Sequence, residues 1–326
     1  MRKSRFPQME VPMYKRLELH NHTTESDGTL TPSQLIQFME EKLVDGFAIT
    51  DHNTISGHSK IKGLLEQKKS SISSIYGMEY TTYYGHILCL NLKEYLSWES
   101  IDYHRPERLF HSLKEKGALV GVAHPFSYGH PFARGCRFDM TITDFNSFDF
   151  IEIFNNPEPL HQVNEPALLW WEDLVLKGFP LSATCGMDLH GRWDMNNQYA
   201  TFIEGVNGGN IEKELEDAIR HQKTWVSRGP ILESQYNSQK QTMLFTICDT
   251  KKPGFLHSDS DRYILTLRSM TGTVVKEFPD CQSLEIPINE LYPDSNTRSV
   301  LIPKLYQNNT AIENLVAVAP VIVTVC

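Results

Sequence analysis

The chain has 326 residues, 40% of them hydrophobic and 10% aromatic, and a net charge of −9. That is enough apolar material for one large domain or two ordinary ones. The acidic balance argues against general coating of nucleic acid. Met1 to Arg16 is polar and basic without an apolar core, unlike a secretory signal. No run approaches about 18 continuous apolar residues, so no membrane span is expected. The 6 cysteines are scattered without a Cys-x-x-Cys pair, which suits reduced thiols and a cytoplasmic location.

Residues 16–20 predict a short strand ending at His20-Asn21-His22. On an extended strand, side chains two apart share a face, so both imidazoles can reach one metal ion. Asp27 follows after a polar turn, close enough to fold back as a carboxylate ligand. Thr31-Pro32-Ser33-Gln34 resembles a capping box, and Leu35, Phe38, Met39 and Leu43 follow at helical spacing, predicting a helix over 32–44. Residues 47–50 predict a buried strand ending at Asp51-His52, residues 55–68 a helix, and 74–79 a strand ending at Glu79. A hairpin around Tyr84-Gly85 carries His86.

The alternation continues with a helix opened by Pro106, a strand over 118–123 ending at His124-Pro125, and an irregular stretch over 126–146. A strand over 150–154, a helix over 166–176 and a strand over 181–185 lead to Asp188-Leu189-His190. A strand over 199–203, a helix after Asn210 and a last strand over 224–226 close this part. Such alternation implies a parallel sheet with crossovers, closed or nearly closed, with its chemistry at the C-terminal strand ends. Beyond about residue 231 helical periodicity fades. Strands over 243–247, 262–268, 272–278, 283–286, 299–302 and 315–325, set between Asp, Asn, Pro and Gly turns, predict a small all-β, sandwich-like domain. The expected division is 1–230 and 231–326.

Imidazole and carboxylate without thiolate suit Zn, Mn or Fe. His20-x-His22, Thr50-Asp51-His52-Asn53, Gly77-Met78-Glu79, Ala123-His124-Pro125 and Asp188-x-His190 together resemble the ordered motifs of the PHP (polymerase and histidinol phosphatase) superfamily, over about residues 16–230. The segment 224–230 and the β domain resemble the branch that includes carbaryl-hydrolase-like metallohydrolases. The resemblance implies a distorted (β/α)7, TIM-like barrel and two or three divalent transition-metal ions. By position, His20, His22, Glu79 and Asp188 would hold the first ion, and Asp27, His52 and His190 the second. Glu79, His124 and His86 would hold the third, with His86 alternatively facing substrate. Asp27, His52, His190 and Arg134 are the catalytic candidates.

Asp51 is expected to orient a neighbouring histidine. Arg134, Arg137 or Arg192 could grip a phosphate through a bidentate fork, the alternative being ordinary surface ion pairs. Asn155 and Asn156 are expected on the same rim. His58, His104, His111, His161, His221 and His257 lie outside the motifs and read as solvated or capping. The expected function is a metal-dependent phosphoesterase acting on a small phosphorylated metabolite or nucleotide through metal-activated hydroxide. Two alternatives stand beside it. One is a carboxyl ester, amide or carbamate hydrolase on the same metals; the other is a non-catalytic, metal-stabilised binding module. Neither a membrane nor a long duplex is an expected partner, and the β domain offers a possible oligomer contact.

Overall fold

The computed structural model describes residues 13–68, 70–99, 101–129, 132–156, 158–256, 262–279, 282–292 and 299–324. His257 and parts of the 126–146 loop and of the basic N-terminus lie outside them. The first half runs β1 (Met13–Glu18), α1 (Pro32–Glu41), β2 (Gly46–Ile49), α2 (Ser56–Lys68), β3 (Ser73–Thr82), β4 (Gly85–Leu90), α3 (Glu107–Glu115) and β5 (Leu119–Val122). Then come β6 (Phe150–Asn155), α4 (Glu165–Leu176), β7 (Ser182–Gly186), β8 (Ala200–Gly205), α5 (Ile211–Arg220) and β9 (Thr224–Ser227). The C-terminal part holds β10 (Pro230–Asn237), β11 (Thr242–Asp249), β12 (Tyr263–Ser269), β13 (Gly272–Glu277), β14 (Ser283–Pro287), α6 (Ile288–Leu291), β15 (Ser299–Gln307), β16 (Leu315–Val318) and β17 (Ile322–Thr324).

Helix α1 opens as its sequence predicts. The Thr31 hydroxyl accepts from the Gln34 amide at 3.3 Å, and Gln34 Oε1 accepts from the Thr31 amide at 2.9 Å. It stops three residues earlier than its apolar spacing suggests. Leu43 adopts φ 52°, Leu43 N–H donates to Glu40 O, and Val44 N–H donates to Met39 O. That pair of bonds is a Schellman closure with leucine where glycine is usual.

The fold is mixed α/β. Strand pairs β1–β2, β2–β3, β5–β6 and β6–β7 are parallel. The β3–β4 hairpin makes β4 antiparallel to both β3 and β5, and β8 is antiparallel to both β1 and β9. Among the described residues the ladders do not form a closed ring. One edge of β1 is taken by β8 over Met13 to Leu17, so β7 cannot pair there. The chain segments just beyond β1 and β7 meet instead at one parallel bridge, Asn21 with Leu189. Its two bonds run from His22 N–H to Leu189 O at 2.9 Å and from Leu189 N–H to His20 O at 3.0 Å. This bridge brings His20-x-His22 beside Asp188-x-His190.

Leu17, Leu19, Ala48, Ile75, Leu88, Leu119, Ala123 and Phe150 fill the interior between the strands. In the C-terminal part, β10, β11 and β14 form a small sheet, while β13, β12, β15 and β16 join the main sheet through β16 and β9. The residues 315–325, expected as one strand, split at Pro320 into β16 and β17. Strand β10 was not anticipated. Among the described residues no helix is long and apolar enough to cross a membrane.

Candidate metal centre

Strands β1 to β5 and β7 each deliver a polar side chain to the same end of the sheet. His20 and His22 follow β1, His52 follows β2, Glu79 lies on β3, His86 opens β4, His124 follows β5, and Asp188 and His190 follow β7. Because β4 is antiparallel, its first residues share an end with the last residues of β3.

Glu79 is the hub. Its Oε2 lies 3.3 Å from His20 Nε2, 3.3 Å from His22 Nε2 and 2.8 Å from His52 Nδ1. Its Oε1 lies 2.9 Å from His86 Nδ1 and 3.1 Å from His124 Nε2. Asp188 Oδ1 lies 2.9 Å from His22 Nε2 and 3.4 Å from His20 Nε2. On the open side, Asp27 approaches His190 Nε2 at 3.3 Å and His52 Nε2 at 3.5 Å. Four overlapping sets result, each with ligand atoms within 4.8 Å of one another: His20, His22, Glu79 and Asp188; His22, Asp27, His52 and His190; Glu79, His86 and His124; and His20, His124 and Glu152. All nine residues expected as ligands are brought together, His86 included.

A metal is the fitting occupant on physical grounds. His20 Nε2, His22 Nε2, Glu79 Oε2 and Asp188 Oδ1 are buried, lack a hydrogen-bond partner, and converge. Four unsatisfied polar atoms aimed at one point would be costly unless a cation takes them. Nitrogen and oxygen donors without thiolate suit a divalent transition metal. The rings are also held from behind. His190 Nδ1 lies 2.8 Å from Asp188 O, His124 Nδ1 lies 3.2 Å from Cys136 O, and His20 Nδ1 lies 3.1 Å from Glu152 Oε1.

Charge is balanced within the cluster. Burial favours neutral groups, but His20, His86 and His52 outweigh it at Glu79 and hold that carboxyl well below the usual range. His20 and His22 do the same for Asp188, and His190 and His52 for Asp27. In return, and against burial, Glu79 and Asp27 push His52 up to about 10, and Glu79 pushes His124 up to about 9. At His86 burial prevails and the pKa falls. Glu18, buried beneath the site, is pushed up to about 7 by burial.

The backbone is tight here as well. His124 and Asp188 have φ of 24° and 47°, values that L residues rarely adopt. A Cβ on Gly186 would sit 2.4 Å from His20 Cβ and 2.6 Å from Glu152 Oε1. Gly186→Ala should therefore destabilise the protein by about 1–3 kcal/mol, read from denaturant unfolding, as an overpacked site does. An alanine variant as stable as the parent would mean that β7 has room to move.

Several expected roles change. Asp51 does not orient a histidine. Its carboxylate accepts from Thr23 N–H at 2.7 Å, from the Thr23 hydroxyl and from the Ser26 hydroxyl at 2.8 Å, and so pins the loop that carries Asp27. Asn155 and Asn156 are buried rather than on the rim: Asn155 donates to Glu152, and Asn156 to Gly186 O and Tyr199 O. Arg134 pairs with Asp139, Arg137 lies 3.8 Å from the same carboxylate, and Arg192 pairs with Glu41 at 2.7 Å. Among the remaining histidines, His58 is tied to Gly77 O and His161 sits between Glu165 and Glu313. Glu152 was missed. A lone carboxylate in the apolar strand Phe150-Ile151-Glu152-Ile153-Phe154 was the available signal.

The motifs, the strand-end geometry and the converging donors define a metal-dependent hydrolase, and the chain belongs to the PHP superfamily. The PHP domain family profile matches residues 18–117. An uncharacterised protein of Methanocaldococcus jannaschii is 30% identical over 184 residues, covering 52% of this chain and 96% of that protein. The 5'-3' exoribonuclease of Escherichia coli is 31% identical over 132 residues, covering 36% of this chain and 45% of the exoribonuclease, so the match spans less than half of that enzyme. Among solved structures, a two-domain protein of Bacteroides vulgatus containing a predicted PHP-like metal-dependent phosphoesterase superposes with a TM-score of 0.55 at 13% identity. The match covers 98% of this chain and 97% of that one.

Proposed function

We propose that this protein is a phosphoesterase whose substrate is a small phosphorylated metabolite or a nucleotide, and that the nine residues above hold two or three ions. The observation that carries the proposal is the sharing of Glu79 among donor sets only a few ångströms apart. Such spacing suits a clamp on both oxygens of a phosphoryl transfer. Divalent ions held there would neutralise phosphoryl charge and lower the pKa of water. The chain's own residues do the rest. Asp27 has a 56% exposed side chain and His190 a 30% exposed one, so substrate approaches over them. The Asp188 carbonyl and Thr81 hydroxyl fix the rings of His190 and His52 with Nε2 toward Asp27. The similarity to an exoribonuclease supports a nucleotide end as substrate.

The same reading includes a division of the chain near residue 230 and a barrel completed by the Asn21–Leu189 bridge. The apolar cluster of Ile231, Leu232, Phe245, Leu265, Leu267 and Leu305 supports a C-terminal unit, one whose core also takes in Phe202 of β8 and Trp225 of β9. The test of function is direct: protein reloaded with Zn, Mn or Fe, assayed on phosphate monoesters, phosphodiesters, carboxyl esters and carbamates. Turnover of mono- or diesters is expected, and none on any of them would overturn the proposal.

One observation favours the carbonyl reading. The three arginine candidates face carboxylates of the chain itself, Arg134 and Arg137 toward Asp139 and Arg192 toward Glu41, which offsets their charge. Arg134→Met with Arg137→Met discriminates. For a phosphorylated substrate KM should rise about tenfold or more with kcat little changed, as for loss of a bidentate contact. Unchanged KM would favour an ester or carbamate.

A further inference from the structure

Glu152 lies on β6, where alternation places it on the same face as Phe150, a residue of the interior cluster. It is 1% exposed. A buried carboxylate costs several kcal/mol unless its oxygens are satisfied. Here the partners are parts of the metal centre. Oε1 lies 3.1 Å from His20 Nδ1, and Oε2 accepts from the His124 backbone N–H at 2.9 Å and from Asn155 Nδ2 at 3.1 Å.

We propose that Glu152 is a positioning residue that fixes the tautomer of His20 and the backbone of His124, tying two donor sets together. The proposal rests on the metal reading above. A neutral imidazole carries one N–H. With that proton at Nδ1, facing Glu152, the lone pair is at Nε2, the atom that lacks a partner and lies 3.3 Å from Glu79 and 3.4 Å from Asp188. The opposite tautomer would set a bare Nδ1 against a carboxylate oxygen, two acceptors face to face. At His124 the bond to Oε2 offsets the cost of a φ of 24° and leaves Nε2 aimed at Glu79 Oε1. Glu152 meets His20 at the nitrogen opposite the one facing Glu79 and Asp188. It therefore stands behind the ring; it also lies near enough to His20 and His124 to form a donor group with them, and the proposal gives it the supporting role rather than a place on the ion.

Glu152→Gln tests this. It keeps the volume but turns one acceptor into a donor, so either His20 Nδ1–H or His124 N–H must face an N–H. In the zinc-loaded full-length wild type, long-range proton–nitrogen spectra of the histidines should place the His20 proton at Nδ1 and the ion at Nε2. Chelator competition should show zinc binding to Glu152→Gln about 10–100-fold weaker, the size seen when such outer partners are lost. Two results would overturn the proposal: His20 bound through Nδ1 in the wild type, which needs no variant, or affinities of wild type and variant within twofold. Failure of the metal reading is distinct, because the wild type would then take up no zinc at all, and this proposal would fall with it.

Discussion

Glu79→Gln is expected to strip the centre of ions and to lower turnover on any phosphoester by roughly a thousandfold or more. The size follows from connectivity. Both oxygens face the centre, and five imidazoles lie within 3.3 Å of them. A single acid-to-amide change removes one unit of negative charge from two donor sets at once. It also aims an N–H₂ group at ring nitrogens that must present lone pairs. Elemental analysis of the purified variant should show the loss of ions alongside the loss of rate. Full metal content with full turnover would remove Glu79 from the centre. A variant that keeps its ions but loses its rate would point to a role for Glu79 on substrate instead.

The parts of this centre that the sequence made legible are local events. His20-x-His22, Asp51-His52, Ala123-His124-Pro125 and Asp188-x-His190 each sit where a short apolar run ends, so strand ends and ligands were found together. What was not legible depends on partners remote in sequence. The Asn21–Leu189 bridge joins two motifs that are each legible alone but carry no sign of their pairing, and β8 turning antiparallel to β1 depends on the return path after β7. Arg192 meets Glu41 across the fold. Glu152 looked like one charge in a strand because two of its three partners, His20 and His124, come from beyond other strands. Strand β10 was hidden by Pro230 and by a pattern that is buried at its first three residues and exposed after them. Asp51 shows the reverse error. Its place beside a ligand suggested service to that ligand, whereas its geometry serves the 23–26 loop.

Metal uptake should also be strongly pH-dependent, with at least two protons released per chain on loading at pH 7. In the metal-free protein His52 and His124 are pushed up to about 10 and about 9, so both rings are protonated at neutral pH. Each must shed a proton before its nitrogen can bind an ion, and each such proton weakens binding about tenfold per pH unit below those values. Two coupled releases give about a hundredfold per unit. The same shifts set the stability of the metal-free chain. Raised imidazoles stabilise it fully below the unfolded value of about 6.5, and that contribution is lost as pH climbs through 9 to 10. Depressed carboxyls at Asp27, Glu79 and Asp188 stabilise it above about pH 4, and that contribution is lost on acidification. The metal-free protein should therefore be most stable between roughly pH 4.5 and 6.5 as far as this cluster decides. The loaded protein should shift its optimum upward, since alkaline pH frees the rings for ions. Calorimetric titration with zinc in two buffers of different ionisation enthalpy counts the protons. A count near zero at pH 7 would mean that the imidazoles are already neutral, and that the carboxylates do not hold the charge balance described for this centre.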